Sequence, residues 1–111
     1  MKRFIVTYNA PAQAAMEAMQ NATPEQKEEG MKPWMAWMES CGAALIDGGA
    51  PLMAAGHQTP NGWENPNSNV TGYSILEAED IEAAKALVNN HPHLQWIEGC
   101  SIDIFEAMPM G

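Results

Sequence analysis

Hydrophobic and polar positions follow two different periods along this chain, and the switches between them mark out its elements. Arg3 to Tyr8 is a β-branched and aromatic run closed by Asn9-Ala10-Pro11, which predicts a buried first strand. Residues 12–22 are rich in Ala and Met but closely bracketed by Pro11 and Asn21, and are expected to form an irregular approach. Thr23-Pro24-Glu25-Gln26 has the form of a capping box with proline at the first helical position, so a helix starts there. Met31, Trp34, Met35, Met38 and Cys41 then recur at spacings of three and four, giving one apolar stripe, and Gly42 supplies the stop. Pro33 lies inside this helix and implies a kink or a later start.

Ala43 to Asp47 reads as a short second strand, broken by Gly48-Gly49. The 23 residues from Gly48 to Val70 hold four glycines, three prolines and four asparagines. A connection that long is usually functional or contains an extra hairpin, and Asn61-Gly62 is a suitable tip. Thr71 to Glu77 has period two, with Tyr73, Ile75 and Glu77 on one face and Ser74, Leu76 and Ala78 on the other. Asp80 is placed to cap a second helix from Ile81 to about Asn89, with Ile81, Ala84 and Val88 inward. Asn89-Asn90-His91-Pro92 ends it, and Cys100 to Ala107 alternates as a closing strand. The order β-α-β-β-α-β predicts an α+β, ferredoxin-like antiparallel sheet with both helices on one face. Its other face would be bare, and a second subunit is the economical cover.

Length and composition narrow the class. A chain of 111 residues suits one domain over residues 1–111, burying about two thirds of its unfolded surface. Fourteen acidic against five basic residues give a net charge of −9, which repels phosphate backbones and anionic lipid heads and argues against nucleic-acid or membrane partners. No apolar run approaches the ~18 residues of a membrane span, and Phe4-Ile5-Val6 is too short for a secretory signal, so a cytoplasmic protein is expected. Cys41 and Cys100 lack the spacing of a zinc site or a disulfide scaffold and are expected to be two buried thiols. Nucleotide-binding, serine-hydrolase and zincin motifs are missing from the sequence.

In the predicted topology the ends of the first two strands (Tyr8 and Asn9; Asp47), the long connection and the exit of the second helix (His91) share one rim. An Asp/His pair there would be an acid/base device, because the carboxylate fixes the imidazole tautomer and raises its basicity. Each residue also has a structural role open to it. Asp47 can cap its own Gly-Gly turn, and His91 can end the second helix. In an extended His91-Pro92-His93 segment the two imidazoles would point apart, a poor geometry for a shared metal. Trp34 belongs to the helical stripe and reads as core, with Trp37 at its margin. Trp63 and Trp96 lie near the rim, and His57 lies in the long loop.

The Met1-Lys2-Arg3-Phe4 strand, the Thr23-Pro24-Glu25 helix start, Asp47-Gly48-Gly49, Gly72-Tyr73-Ser74, Ala83-Ala84 and the His91-Pro92 exit together resemble the YCII-related proteins over nearly the full chain. The resemblance implies a ferredoxin-like subunit of a dimeric α/β barrel, with a pocket between sheet and helix ends. It also implies an Asp/His acid/base pair in part of the family, with lyase or dehydrochlorinase chemistry on ring compounds as the best-defined branch. That branch has a histidine early in the first helix and an aspartate before the proline after the second. Here the region around Met31 has no histidine and His91 takes the pre-proline place, so the expected dyad has exchanged roles.

The leading expectation is a homodimer, joined through the open sheet face, that binds a small organic molecule at the rim. His91 would act as general acid/base oriented by Asp47, and Tyr8, His57, Trp63 and Trp96 would line the pocket, with no cofactor or metal. Two rival readings are a non-catalytic dimeric ligand-binding or interaction module, and a cofactor-free monooxygenase of the dimeric barrel type.

Overall fold

The computed structural model describes residues 1–110. The described residues form six strands and three α-helices: β1 (Lys2–Asn9), α1 (Ala12–Asn21), α2 (Pro24–Cys41), β2 (Leu45–Asp47), β3 (His57–Thr59), β4 (Gly62–Glu64), β5 (Val70–Ala78), α3 (Ile81–Val88) and β6 (Ser101–Glu106). Four strands make an antiparallel sheet in the order β2-β5-β1-β6, and β3 and β4 pair separately as a hairpin. This is an α+β arrangement.

Alternation sorts the sheet. Phe4, Val6 and Tyr8 of β1 and Ser74, Leu76 and Ala78 of β5 are buried beneath the helices. Ile5 and Phe105, on the opposite face, are 39% and 53% exposed. Over the buried face, Trp37 and Cys41 of α2 pack with Val6, Tyr8, Leu76 and Val88, and Trp34, Met38, Leu45 and Ile102 close around them. A smaller cluster of Phe4, Ala78 and Ala84 lies at the far end.

Several expectations are met at their boundaries. Thr23 accepts from the Gln26 amide while the Gln26 side chain accepts from the Thr23 amide, so α2 starts on a complete capping box. Asp80 accepts from the Ala83 amide and caps α3. Gly42 ends α2 at φ +56°.

Residues 12–22 differ from the irregular segment expected. Their Ala, Met, Gln and Glu content favours helix, and Pro11 stands just before the first turn, where a missing amide costs nothing. The Ala12 amide finds its acceptor in the Asn69 side chain, fifty-seven residues away, at 3.3 Å. Pro33 does not break α2, which runs unbroken from Pro24 to Cys41. The second strand is shorter than expected because Gly42–Ala44 forms a 3-10 turn. In the hairpin, Thr59 pairs with Gly62, which shifts the tip to Pro60-Asn61 and puts Gly62, at φ +115°, first in β4.

The turn after β2 is the tightest point of the sheet. Gly49 has φ +79°, and a Cβ there would sit 1.6 Å from the Tyr73 carbonyl oxygen. Gly49→Ala is expected to cost more than about 2 kcal/mol in urea unfolding. Gly30→Ala, in open space on α2, is expected to stabilise by about 0.5–1 kcal/mol. Equal unfolding midpoints for the two variants would show that the Gly49 contact does not hold.

Candidate functional site

The polar side chains of this protein gather on both sides of the sheet, which parts His91 and Tyr8 from Asp47, while His57 and Trp63 lie on the separate hairpin. His91 is wholly buried on the helix side. Asn90, left-handed at φ +60°, turns the chain out of α3, and the His91 amide closes that turn on the Val88 carbonyl at 3.1 Å. His91 then caps the 3-10 turn Pro92–Gln95 by accepting from the His93 amide at Nδ1, 3.0 Å away. Because Pro92 opens a 3-10 turn instead of continuing extended, the two imidazoles do not point apart. Both rings lie against Tyr8, with centroids 4.8 Å (His91) and 5.4 Å (His93) from the phenol ring.

The Nδ1 contact decides the tautomer. An amide hydrogen can only be donated to a lone pair, so the proton of neutral His91 sits on Nε2. Among the described residues, that Nε2 is the buried side-chain nitrogen or oxygen without a hydrogen-bond partner. The Trp37 and Trp34 rings lie 4.3 Å and 4.5 Å from the imidazole between centroids, each in a T-shaped arrangement with it. A π face is only a weak acceptor. Burial, aided by the neighbouring His93, lowers the His91 pKa to about 4, so the ring is neutral at neutral pH.

Tyr8 extends the cluster. Its hydroxyl donates to Ser74 Oγ at 2.7 Å, and Ser74 donates onward to the Gly48 carbonyl at 2.9 Å. Burial pushes the phenol up to about 12, so it too is neutral. Gly72 leaves room for the ring, since a Cβ there would stand 3.3 Å from Tyr8 Cδ2. The thiol of Cys41, also raised by burial, belongs to the same packed cluster.

The expected Asp47–His91 pair does not form. A register irregularity between Leu45 and Asp47 sets Leu45 opposite Leu76 and Asp47 opposite Ile75. One extra residue in β2 thereby moves Asp47 to the open face, while Leu45 stays with the core. There Asp47 accepts from the Gly49 amide at 2.8 Å and from the Tyr73 hydroxyl at 3.3 Å. It caps its own turn, and the sheet separates it from His91.

Tyr8 is thus the expected pocket residue that meets His91. Trp96 is 38% exposed at the margin, its ring 5.9 Å from His93. His57 and Trp63 lie on the separate hairpin, with Trp63 73% exposed, so they do not join the cluster. Trp34, Trp37 and Ser74 complete the surroundings of His91 and Tyr8 but carry no chemical signature in the sequence. The usable signal was the spacing of Trp34 and Trp37 on the face that packs on the sheet.

Metal binding has little to work with here. His91 Nδ1 is taken by an amide, and His93 Nε2 donates to the Asn9 carbonyl at 2.8 Å. Among the described residues no group of three or more His, Cys, Asp or Glu side chains is placed to hold an ion. Nor is any described helix long and apolar enough to cross a membrane.

No protein-family model matches the chain, and no curated protein does. Among solved structures it is similar to a 5-chloro-2-hydroxyhydroquinone dehydrochlorinase from Burkholderia phenoliruptrix AC1100, solved in complex with 2,5-dihydroxybenzoquinone. The identity is 18% over 93% of this chain and 91% of the other, with a TM-score of 0.47. A likeness of that degree carries neither family membership nor chemistry across.

The lowered pKa of His91 has a consequence for stability. The unfolded chain takes up the imidazole proton near 6.5, the folded chain only near 4. The contribution is present above pH 6.5 and is lost as pH falls towards 4, on the order of 3 kcal/mol in all. His91→Phe is expected to remove that component. Urea unfolding from pH 7 to pH 4 should show a steeper loss in the wild type than in the variant, and parallel curves would refute the assignment.

Proposed function

We propose that this chain is a YCII-related, homodimeric small-molecule-binding protein whose ligand site lies between α2 and the sheet at His91. The observation that carries this reading is the unpartnered Nε2–H of a wholly buried imidazole. Leaving a buried donor unsatisfied costs about 1–3 kcal/mol, and such a group is retained where something else satisfies it. The donor calls for an acceptor: a carbonyl, carboxylate or phenolate oxygen. The rings of Tyr8, Trp34 and Trp37 suit a flat apolar body attached to that oxygen. Trp34 is the half-buried one of the three, so it is the ring a ligand displaces on entry.

Catalysis is the second reading. With Asp47 on the other face and Nδ1 engaged by an amide, His91 lacks the carboxylate partner of an ordinary acid/base dyad. A fixed neutral Nε2–H is instead suited to polarise a carbonyl or steady a developing oxyanion. Lyase or dehydrochlorinase activity at this site would run through that donor. The second copy of the homodimer is assigned to the open sheet face, where Ile5 and Phe105 are exposed.

Benzoate, salicylate and 4-hydroxybenzaldehyde are suitable probes. Binding is expected to quench Trp fluorescence, raise Tm by several degrees and shift the His91 Nε2–H resonance. His91→Phe, which keeps the ring but removes the donor, should lose the Tm shift at least tenfold in ligand concentration. Equal responses in wild type and variant would sink the proposed site. Product analysis of the same incubations separates the readings, since a binding protein returns its ligand unchanged.

A further inference from the structure

We propose that His93 is the positioning residue of the His91 site, holding the neighbouring imidazole in the tautomer whose Nε2–H is free for a ligand. The ligand side of this role rests on the proposed site, whereas the state of the His91 ring is open to measurement with no ligand present.

The requirement begins at the 3-10 turn Pro92–Gln95, which His91 caps. Ser, Thr, Asp and Asn are the usual residues at a cap, and each accepts through an oxygen that always carries a lone pair. An imidazole accepts there only through an unprotonated Nδ1. Pro92 has no amide hydrogen, so the first amide of the turn is that of His93, and it donates to His91 Nδ1 at 3.0 Å. Moving the His91 proton to Nδ1 would set two donors face to face and leave a buried amide without its acceptor. The free Nε2–H therefore lasts only while the His93 amide stays in place.

The His93 side chain is what keeps it there. Within the turn, the Leu94 amide donates to the His91 carbonyl at 3.0 Å and the Trp96 amide to the His93 carbonyl at 3.2 Å. Those bonds close the turn on itself and do not place it on the sheet. The tie to the sheet is His93 Nε2–H, which donates to the Asn9 carbonyl at 2.8 Å. Asn9 ends β1, the strand that carries Tyr8, so the bond fastens the turn beside the phenol that packs on both imidazoles. His93 is 3% exposed, and its ring lies between those of Tyr8, at 5.4 Å, and Trp96, at 5.9 Å. One residue thus supplies both parts of the hold. Its amide sets the proton of His91, and its imidazole fixes where that amide sits.

Imidazole nitrogen shifts in NMR at neutral pH test this role. Wild-type His91 is expected as the Nε2–H tautomer alone. His93→Phe keeps a ring against Tyr8 but has no donor, and should leave His91 a mixture of tautomers. His93→Gln returns an N–H within reach of the Asn9 carbonyl and should restore the wild-type pattern. A pure Nε2–H tautomer in His93→Phe, a mixture in His93→Gln, or an Nδ1–H tautomer in the wild type overturns the inference. Affinity for 4-hydroxybenzaldehyde should follow the tautomer. In His93→Phe the Kd should rise by at least the reciprocal of the Nε2–H fraction, about twofold for an even mixture. An unchanged Kd beside a mixed tautomer would overturn the positioning role. If the tautomers behave as expected while the wild type binds no probe, the proposed site fails and the hold of His93 on His91 stands. Should His93→Phe not fold, wild type in urea below its unfolding transition decides. Loss of the His93 Nε2–H signal should coincide with averaging of the His91 tautomers, and either change without the other refutes the role.

Discussion

The fold depends on one act of packing, the wedging of two indole rings of α2 against the imidazole and phenol that rise from the other side of the core. Trp34 and Trp37 hold α2 over the sheet, and the Trp37 indole donates to the Leu87 carbonyl at 2.8 Å, tying α2 to α3. His91 fills the space between these rings and Tyr8. Aromatic side chains give large contact areas and geometric preference at little cost in rotamer entropy. A single cluster can therefore anchor a long helix whose first half buries almost nothing. The same packing excludes water from the imidazole, keeps it neutral and leaves its Nε2–H without a partner.

The sheet divides the protein into two chemical compartments. On its open face Asp47 meets Tyr73, and Asn9 donates to Asp103 at 2.8 Å. On its helix face the groups that meet are the neutral imidazole of His91, the phenol of Tyr8 and the hydroxyl of Ser74. Carboxylates remain where water can reach them. The helix-side cluster stays uncharged, since ionisation there would carry the full cost of desolvation. The cluster holds one unpartnered hydrogen-bond donor and no charged side chain. The two compartments are joined by backbone, with Gly48 and Asn9 lending carbonyls to Ser74 and His93.

The strands and the start of α2 were legible because their signals are local. Period-two alternation from Thr71, the Thr23 capping box and the Asp80 cap each depend on residues within a few positions of one another. Residues 12–22 form a helix where an irregular segment was expected, because Pro11 and Asn21 bracket them without breaking it and the Ala12 amide is accepted by Asn69 from another part of the chain. The hairpin was foreseen from the composition of the 48–70 connection, although its tip lies one residue earlier than the Asn-Gly pair suggested.

The sequence by itself determined the four strands of the sheet with α2 and α3 between them, the buried face of β5 and the placing of Tyr8 and His91 near one rim, because periodicity and turn chemistry are written in neighbouring residues. Tertiary structure alone decided which side of the sheet each polar group takes. One extra residue in β2 reverses Asp47, a 3-10 turn brings both imidazoles to Tyr8, and an amide in place of a carboxylate fixes the tautomer of His91. A register shift of one residue leaves no mark in composition or spacing, yet it exchanges the two faces of a strand.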